Sequence, residues 1–458
     1  MSNADKKDIS RREFLKMVAA GAAGLTLAAG CGTSAPPAPS PSKEGSSAAA
    51  PAAAKQAGSA PAPASSGPVK LTFWTWQNHD QELAKAFMEK NPNIQIETTV
   101  GGPWDLQDKL VAALAAGTGA PDVARIVMRM FYKFSGPGKG MWDITDRATP
   151  FKNDAPEWAW SLLTKEGKIY GLPSENNLCG LFYRKDIFDK HGIKAPRTWD
   201  EFIDQGKLIR QKENAAMLPL WIPGGQWASD HFRMYFQSRG GNIFTPEGKL
   251  IENNKLAKDT LRWYYDLKAK HDIGYPTQIF KPEFYAAMNA DSFVTWPMNS
   301  GDIVSMKKNC AGLSGKWARA PLPLWSDSGP KYNAELGSSG IAIPEQGKHK
   351  EEAWAFAQFY ALTKEGQLLL WQKGNQIPSY RPALESKEVY DNPDPYFGGG
   401  TLRDFLADRT TPVFNYIGWA DVSVIIGEEV DNMWANKQSP EQAWDNVEKR
   451  IKEKGIGV

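Results

Sequence analysis

The sequence predicts an α/β body divided into two domains, and three observations carry that expectation. Strand and helix patterns alternate from Val69 onward. The body runs on to Val458, well beyond the roughly 250–300 residues at which a single core stops growing. Its composition, 41% hydrophobic and 23% charged, is that of an ordinary globular protein.

Ahead of that body stand an address and a spacer. Ser10-Arg11-Arg12-Glu13-Phe14-Leu15-Lys16 reads as a twin-arginine export signal. The weakly polar run from Met17 to Gly30 is shorter than the roughly 20 residues of a membrane-spanning helix, so it reads as the core of a signal peptide. It stops at Leu27-Ala28-Ala29-Gly30-Cys31. Small residues before a cysteine resemble a lipobox, although Ala28 stands where that motif usually carries leucine. The resemblance implies cleavage after Gly30 and a diacylglyceryl group on Cys31. Residues 31–68 are then a lipidated cysteine and a linker rich in Ala, Pro and Ser. Such a segment cannot bury enough apolar surface to offset its ordering entropy and is expected to be disordered. Its root-mean-square reach is roughly 30 to 35 Å.

The body opens with Lys70 to Trp76, β-branched and aromatic, as a strand. Gln81 to Lys90 carries Leu83, Ala84, Phe87 and Met88 at helical spacing and stops at Asn91-Pro92-Asn93. Ile94 to Val100 alternates as a second strand. A helix follows over Trp104 to Ala116, closed by Gly117, and Gly119 to Ala124 turns into a third strand. This order predicts a parallel sheet with right-handed crossovers.

Composition excludes several functions. A net charge of +2 with no basic tract argues against nucleic acid. With Cys31 assigned to lipid, Cys179 and Cys310 leave open a disulfide or two buried free thiols, the second being favoured. Five scattered histidines and no zinc spacing argue against a metal site or cofactor. No G-x-S-x-G, H-E-x-x-H or P-loop pattern supports an enzyme. The unusual number is eighteen tryptophans. Most must be core, but indole rings also serve as platforms for the apolar faces of sugars.

Further motifs make the body recognisable. Phe87 to Ile94, Leu110 to Val123, Gly167 to Pro173, Leu181 to Phe188 with Gly192-Ile193 and Pro196 to Phe202, Phe284 to Trp296, and Gly340 to Pro344 with the helix Glu352 to Leu362 follow in order. Together they resemble the carbohydrate-binding solute-binding proteins of ABC importers, the maltose-binding-protein-like family. The resemblance implies a periplasmic-binding-protein-like type II fold, with two α/β lobes, hinge crossings and a ligand cleft between. On that pattern the N-lobe is 69–174 and 341–374, and the C-lobe is 179–336 and 379–458. Crossings fall near Ser174 to Leu178, Gly337 to Gly340 and Asn375 to Pro378.

Ligand contacts are expected beyond the carboxyl ends of strands. Trp76, Gln77 and Asn78 follow the first strand, where amides suit paired hydroxyls. Trp104 opens a helix, and Arg129 follows the third strand, where the family places polar contacts, although aspartate is common there. Asn177 lies at the first crossing, with Glu175 and Asn176 as competitors. Of Trp221 and Trp227, one is expected to stack on ligand. Trp296, read as the end of a strand Ser292 to Thr295, is the leading stacking candidate, with Asn299 behind it. Gly337 and Ser338 bring backbone N–H groups close to a ligand. Trp419 matches a second stacking ring of the family, whereas Trp199, Trp354, Trp434 and Trp444 are read as core. The resemblance implies a sugar or oligosaccharide ligand, membrane subunits of an ABC importer as partner, an extracytoplasmic location and a monomer. A receptor for a non-sugar solute and an exported glycan-processing enzyme are the rival readings. Of the cleft positions only Arg129 is basic, with Arg381 near the third crossing, which disfavours an anionic solute.

Overall fold

The computed structural model describes residues 67–134, 138, 140–327, 329–406 and 409–458. The segment expected to be an export signal, Cys31 with its expected lipid, and the expected linker up to residue 66 lie outside the described residues. Two α/β lobes are built on two principal sheets.

The first sheet begins where alternation predicts it. Val69–Thr75 points Leu71, Phe73 and Thr75 inward, all fully buried. It pairs in parallel with Ile94–Val100 on one side and Val123–Val127 on the other. Two late arrivals complete the sheet. Ser339–Ala342 runs antiparallel between Val123–Val127 and Leu172–Glu175, giving five strands. The connecting helices, Asp80–Lys90 and Pro103–Ala116, match the predicted ones to within a residue at the start. Gly117 closes the second in a left-handed conformation (φ 72°) that a β-carbon would strain. Phe73 meets Phe356 edge-on at 5.2 Å, so the helix Lys350–Leu362 seals this core.

The second lobe centres on Cys179–Arg184, flanked antiparallel by Thr295–Asn299 and Trp317–Pro321. The parallel pair Leu218–Trp221 and Gly274–Thr277 continues that layer, since Thr295 N–H donates to the Met217 carbonyl at 2.8 Å. Phe182 stacks between Phe405 and Phe397 at 5.1 and 5.4 Å. Trp199, Trp354 and Trp444 are buried and Trp434 is half-buried against the core. Cys179 and Cys310 are buried and unpaired with each other.

Three chain segments run side by side between the sheets. Asn176 N–H donates to the Ile377 carbonyl at 2.9 Å, and Leu336 N–H donates to the Asn177 carbonyl at 2.8 Å. The Asn176 amide donates to the Pro378 carbonyl at 3.1 Å and accepts from the Ser379 hydroxyl at 2.8 Å. These are the hinge crossings, and polar side chains satisfy their buried backbone groups. Among the described residues no helix is long and apolar enough to cross a membrane.

Candidate functional site

A cavity of about 570 Å³ lies between the lobes at the crossings. Strand ends supply much of its wall. Trp76 and Gln77 follow the first strand, Arg129 follows the third, and Asn299 ends the strand Thr295–Asn299. Trp104 enters from the first turn of Pro103–Ala116, and Trp227 from the first turn of Gln226–Ser238. Asn177 and Gly337 come from the crossings. Eight of the predicted residues are thus brought to one cavity.

Three indoles dominate the apolar surface. Trp76 and Trp104 are half-buried, and Trp227 is 46% exposed. The Arg125 guanidinium lies 5.0 Å over the Trp76 ring, and that of Arg129 lies 5.4 Å over Trp104. These cations fix the two ring planes.

The charges around the cavity are matched internally. Arg129 Nη1 donates to both oxygens of Asp230, at 2.7 and 2.8 Å, so the pair links the two lobes. Arg233 carries the network on to Glu335 at 3.1 Å and to the Tyr416 hydroxyl. Across the cavity, Arg125 holds Glu175 at 2.5 Å and Asp80 at 3.2 Å. Burial alone would lower the pKa of Arg125, but Glu175, Tyr360 and Asp80 outweigh it and hold the guanidinium above its ordinary value. Asp302 is different. Burial pushes its carboxyl up to about 7, against a hydrogen bond from the Asn299 amide at 2.8 Å, and the charge of Asp230 adds to the rise. Lys373 stands at the exposed rim.

Five expected residues lie elsewhere. Trp296 is fully buried, because its strand runs on to Asn299 and the indole faces Phe284 at 5.1 Å and Phe280 at 6.1 Å. The strand's carboxyl end, where ligands sit, is therefore three residues later than expected. Trp419 is 2% exposed, packed edge-on to Phe414 and Tyr416 with the Arg233 guanidinium 5.5 Å over it. Trp221 is also 2% exposed, stacked on His231 at 5.3 Å. Ser338 is buried and accepts the Asn177 N–H at 3.0 Å, a hinge bond rather than a cavity contact. Asn78 is exposed and outside the cavity; its carbonyl accepts from Gln81 N–H at 3.3 Å at the helix start.

Other lining residues escaped the sequence reading. Gln372 to Gln376 line the cavity at the end of the helix Lys364–Gly374. Asn375 caps that helix in the left-handed region (φ 55°), a helix stop that the Gly-Asn pair signals. Asp302 and Val304 follow Asn299, and Gly301 lets this turn approach: a β-carbon there would sit 3.0 Å from the Asn177 and Asn299 side-chain oxygens.

The arrangement can grip a neutral, hydroxyl-rich molecule with apolar faces. Among the described residues no group of three or more His, Cys, Asp or Glu side chains could hold a metal ion.

The bacterial extracellular solute-binding protein profile matches residues 75–367. The chain is similar to the arabinooligosaccharide-binding protein of Bacillus subtilis, at 28% identity over 85% of this chain and 93% of that one. It is similar to the lactose-binding protein of Rhizobium radiobacter, at 28% identity over 76% and 84%. In fold it is similar to the GacH receptor of Streptomyces glaucescens, solved unliganded and with acarbose, with a TM-score of 0.68, 18% identity and coverage of 84% and 98%. The chain belongs to the bacterial extracellular solute-binding protein family.

Proposed function

We propose that this protein captures a sugar or oligosaccharide between its lobes and delivers it to the membrane subunits of an ABC importer. One observation carries the reading: three indoles and several amides line a cavity whose arginine is already neutralised by Asp230. A neutral ligand leaves those ion pairs undisturbed, whereas an anion would need a free cation in the depth of the cavity. The curated relatives bind saccharides by name, which supports the same class.

In this reading Trp76, Trp104 and Trp227 stack on pyranose or furanose faces. Gln77, Asn177 and Asn299 meet hydroxyls, with Arg129 as a further contact and Gly337 allowing close approach. The lobes are residues 69–174 with 341–374 and residues 179–336 with 379–458, and they close about the crossings. Binding in the micromolar range, about −8 kcal/mol, suits a receptor that must also release. The protein acts as a monomer and performs no chemistry on its ligand. Cys31 carries the lipid that tethers it outside the cell. Metabolic labelling with a fatty acid should mark the exported protein and be lost in Cys31→Ser.

The test is a thermal-shift panel of mono- and oligosaccharides against putrescine, phosphate and a peptide. A saccharide is expected to raise Tm by several degrees, because ligand at a hundred times Kd adds about 2.7 kcal/mol. A shift with phosphate, amine or peptide and none with any saccharide would refute the sugar.

A further inference from the structure

Trp227 borders more than the cavity between the lobes. The same indole lines a second cavity of about 560 Å³, walled also by Trp221, Pro223, Gly225, Phe280 and Lys281. Among the described residues Trp227 is the one aromatic side chain that stands largely exposed.

The ridge between the two cavities is a built feature. Asp431, on the helix Trp419–Trp434, accepts the N–H groups of Gly224 and Gly225 at 2.8 and 2.7 Å. That carboxylate fixes the loop from which Trp227 rises. Trp221 and Phe280 prop the indole, with ring centroids at 6.2 and 6.4 Å. Phe280 itself holds a φ of +67°. A bulky side chain in the left-handed region is strained and persists only where its surroundings hold it there; such strain collects at ligand sites. Phe280 also lines a third cavity of about 720 Å³. That cavity shares Asp302 with the space between the lobes. The three cavities therefore adjoin one another through Trp227, Phe280 and Asp302.

Each cavity alone falls in the roughly 300–1,000 Å³ range of small-molecule sites. A disaccharide held between the lobes leaves the neighbouring space unfilled. Resting on the sugar reading above, we propose that the ligand is an oligosaccharide of roughly three or more units, whose chain passes over Trp227 and lays its outer units against Phe280. Aromatic faces take the C–H surfaces of successive rings, while Gln278 and the exposed Lys281 meet their hydroxyls. Phe280 then sets ligand length, because its strained backbone aims a ring at the outer units.

Isothermal titration calorimetry of the whole protein with two length series tests this: arabinobiose, arabinotriose and arabinotetraose, and melibiose, raffinose and stachyose. In the series that binds, affinity is expected to rise about tenfold or more from the two-unit to the four-unit sugar. Phe280→Gly relieves the backbone strain and removes the ring, so the ratio of the two affinities should fall toward one while the protein stays folded. The double variant Gln278→Ala/Lys281→Ala should lower the ratio in the same direction. Equal affinities across length in the unmodified protein, or a ratio that Phe280→Gly leaves unchanged, would overturn the extended site and leave the sugar reading standing. No heat from either series would overturn the extended site, and the sugar reading falls with it only if no saccharide raises Tm.

Discussion

Trp227 and Trp296 sit at opposite ends of the exposure scale, and substitution should treat them oppositely. Trp227→Ala removes a ring that is 46% exposed at the cavity. We expect saccharide affinity to fall about tenfold or more by calorimetry, the loss of about one stacked ring, with little change in Tm. Trp296→Ala empties a fully buried site instead. It should cost about 3–5 kcal/mol of stability by denaturant titration. Sequence could not separate the two: Trp296 follows an apolar run and Trp227 a Gly-Gly loop, and neither local pattern decides whether the ring ends in the core or at the surface. The strand was also placed too early: Pro297, which cannot donate to a ladder, pairs with Leu181 inside it. Asp302 gives a prediction of another kind. Its folded pKa is raised from 3.8 to about 7. Its contribution to stability is therefore complete below 3.8 and is lost as pH rises through about 7. The difference in stability between the unmodified protein and Asp302→Asn should therefore shift against the unmodified protein between about pH 4 and 7, read in urea titrations of both at stepped pH.

Loops and crossings show which elements position those side chains. The carboxylate of Asp431 holds two consecutive backbone N–H groups ahead of the helix that carries Trp227. Asp431→Ala should leave them to solvent, raise hydrogen exchange at Gly224 and Gly225, and weaken saccharide binding through a looser Trp227. At the second crossing, Ser338→Ala deletes the acceptor of the part-buried Asn177 N–H and should cost about 1 kcal/mol. Regular elements were legible in the sequence. Ile94–Val100 lies where alternation placed it, and the Asp80–Lys90 helix stops at the Asn-Pro-Asn signal. The crossings were placed near Ser174 to Leu178, Gly337 to Gly340 and Asn375 to Pro378, and three segments do meet there. Their partners were not legible, since Asn176 binding Pro378 and Ser379 joins residues about two hundred positions apart. For the same reason Gln372 to Gln376 went unnoticed as lining residues: nothing local marks a helix end as facing a distant strand end.

At the scale of the whole molecule, the Arg129–Asp230 pair is the tie between lobes. Arg129 follows a strand of one sheet, and Asp230 belongs to a helix of the other lobe. Tyr132 adds a second link, its hydroxyl accepting the Ala420 N–H at 3.4 Å. Asp230→Ala leaves a buried guanidinium without its bidentate partner, a loss of about 3–5 kcal/mol in this arrangement. Separated lobes would let Arg129 regain water, so the variant should favour them, and small-angle scattering should report a larger radius of gyration without ligand. The account as a whole stands on saccharide held where both lobes meet. A crystal structure of the protein with the saccharide that most raises its Tm tests that directly. The account predicts sugar density between Trp76, Trp104 and Trp227, against Asn177 and Asn299. Density for that saccharide elsewhere on the protein, with this cavity holding only solvent, would contradict it.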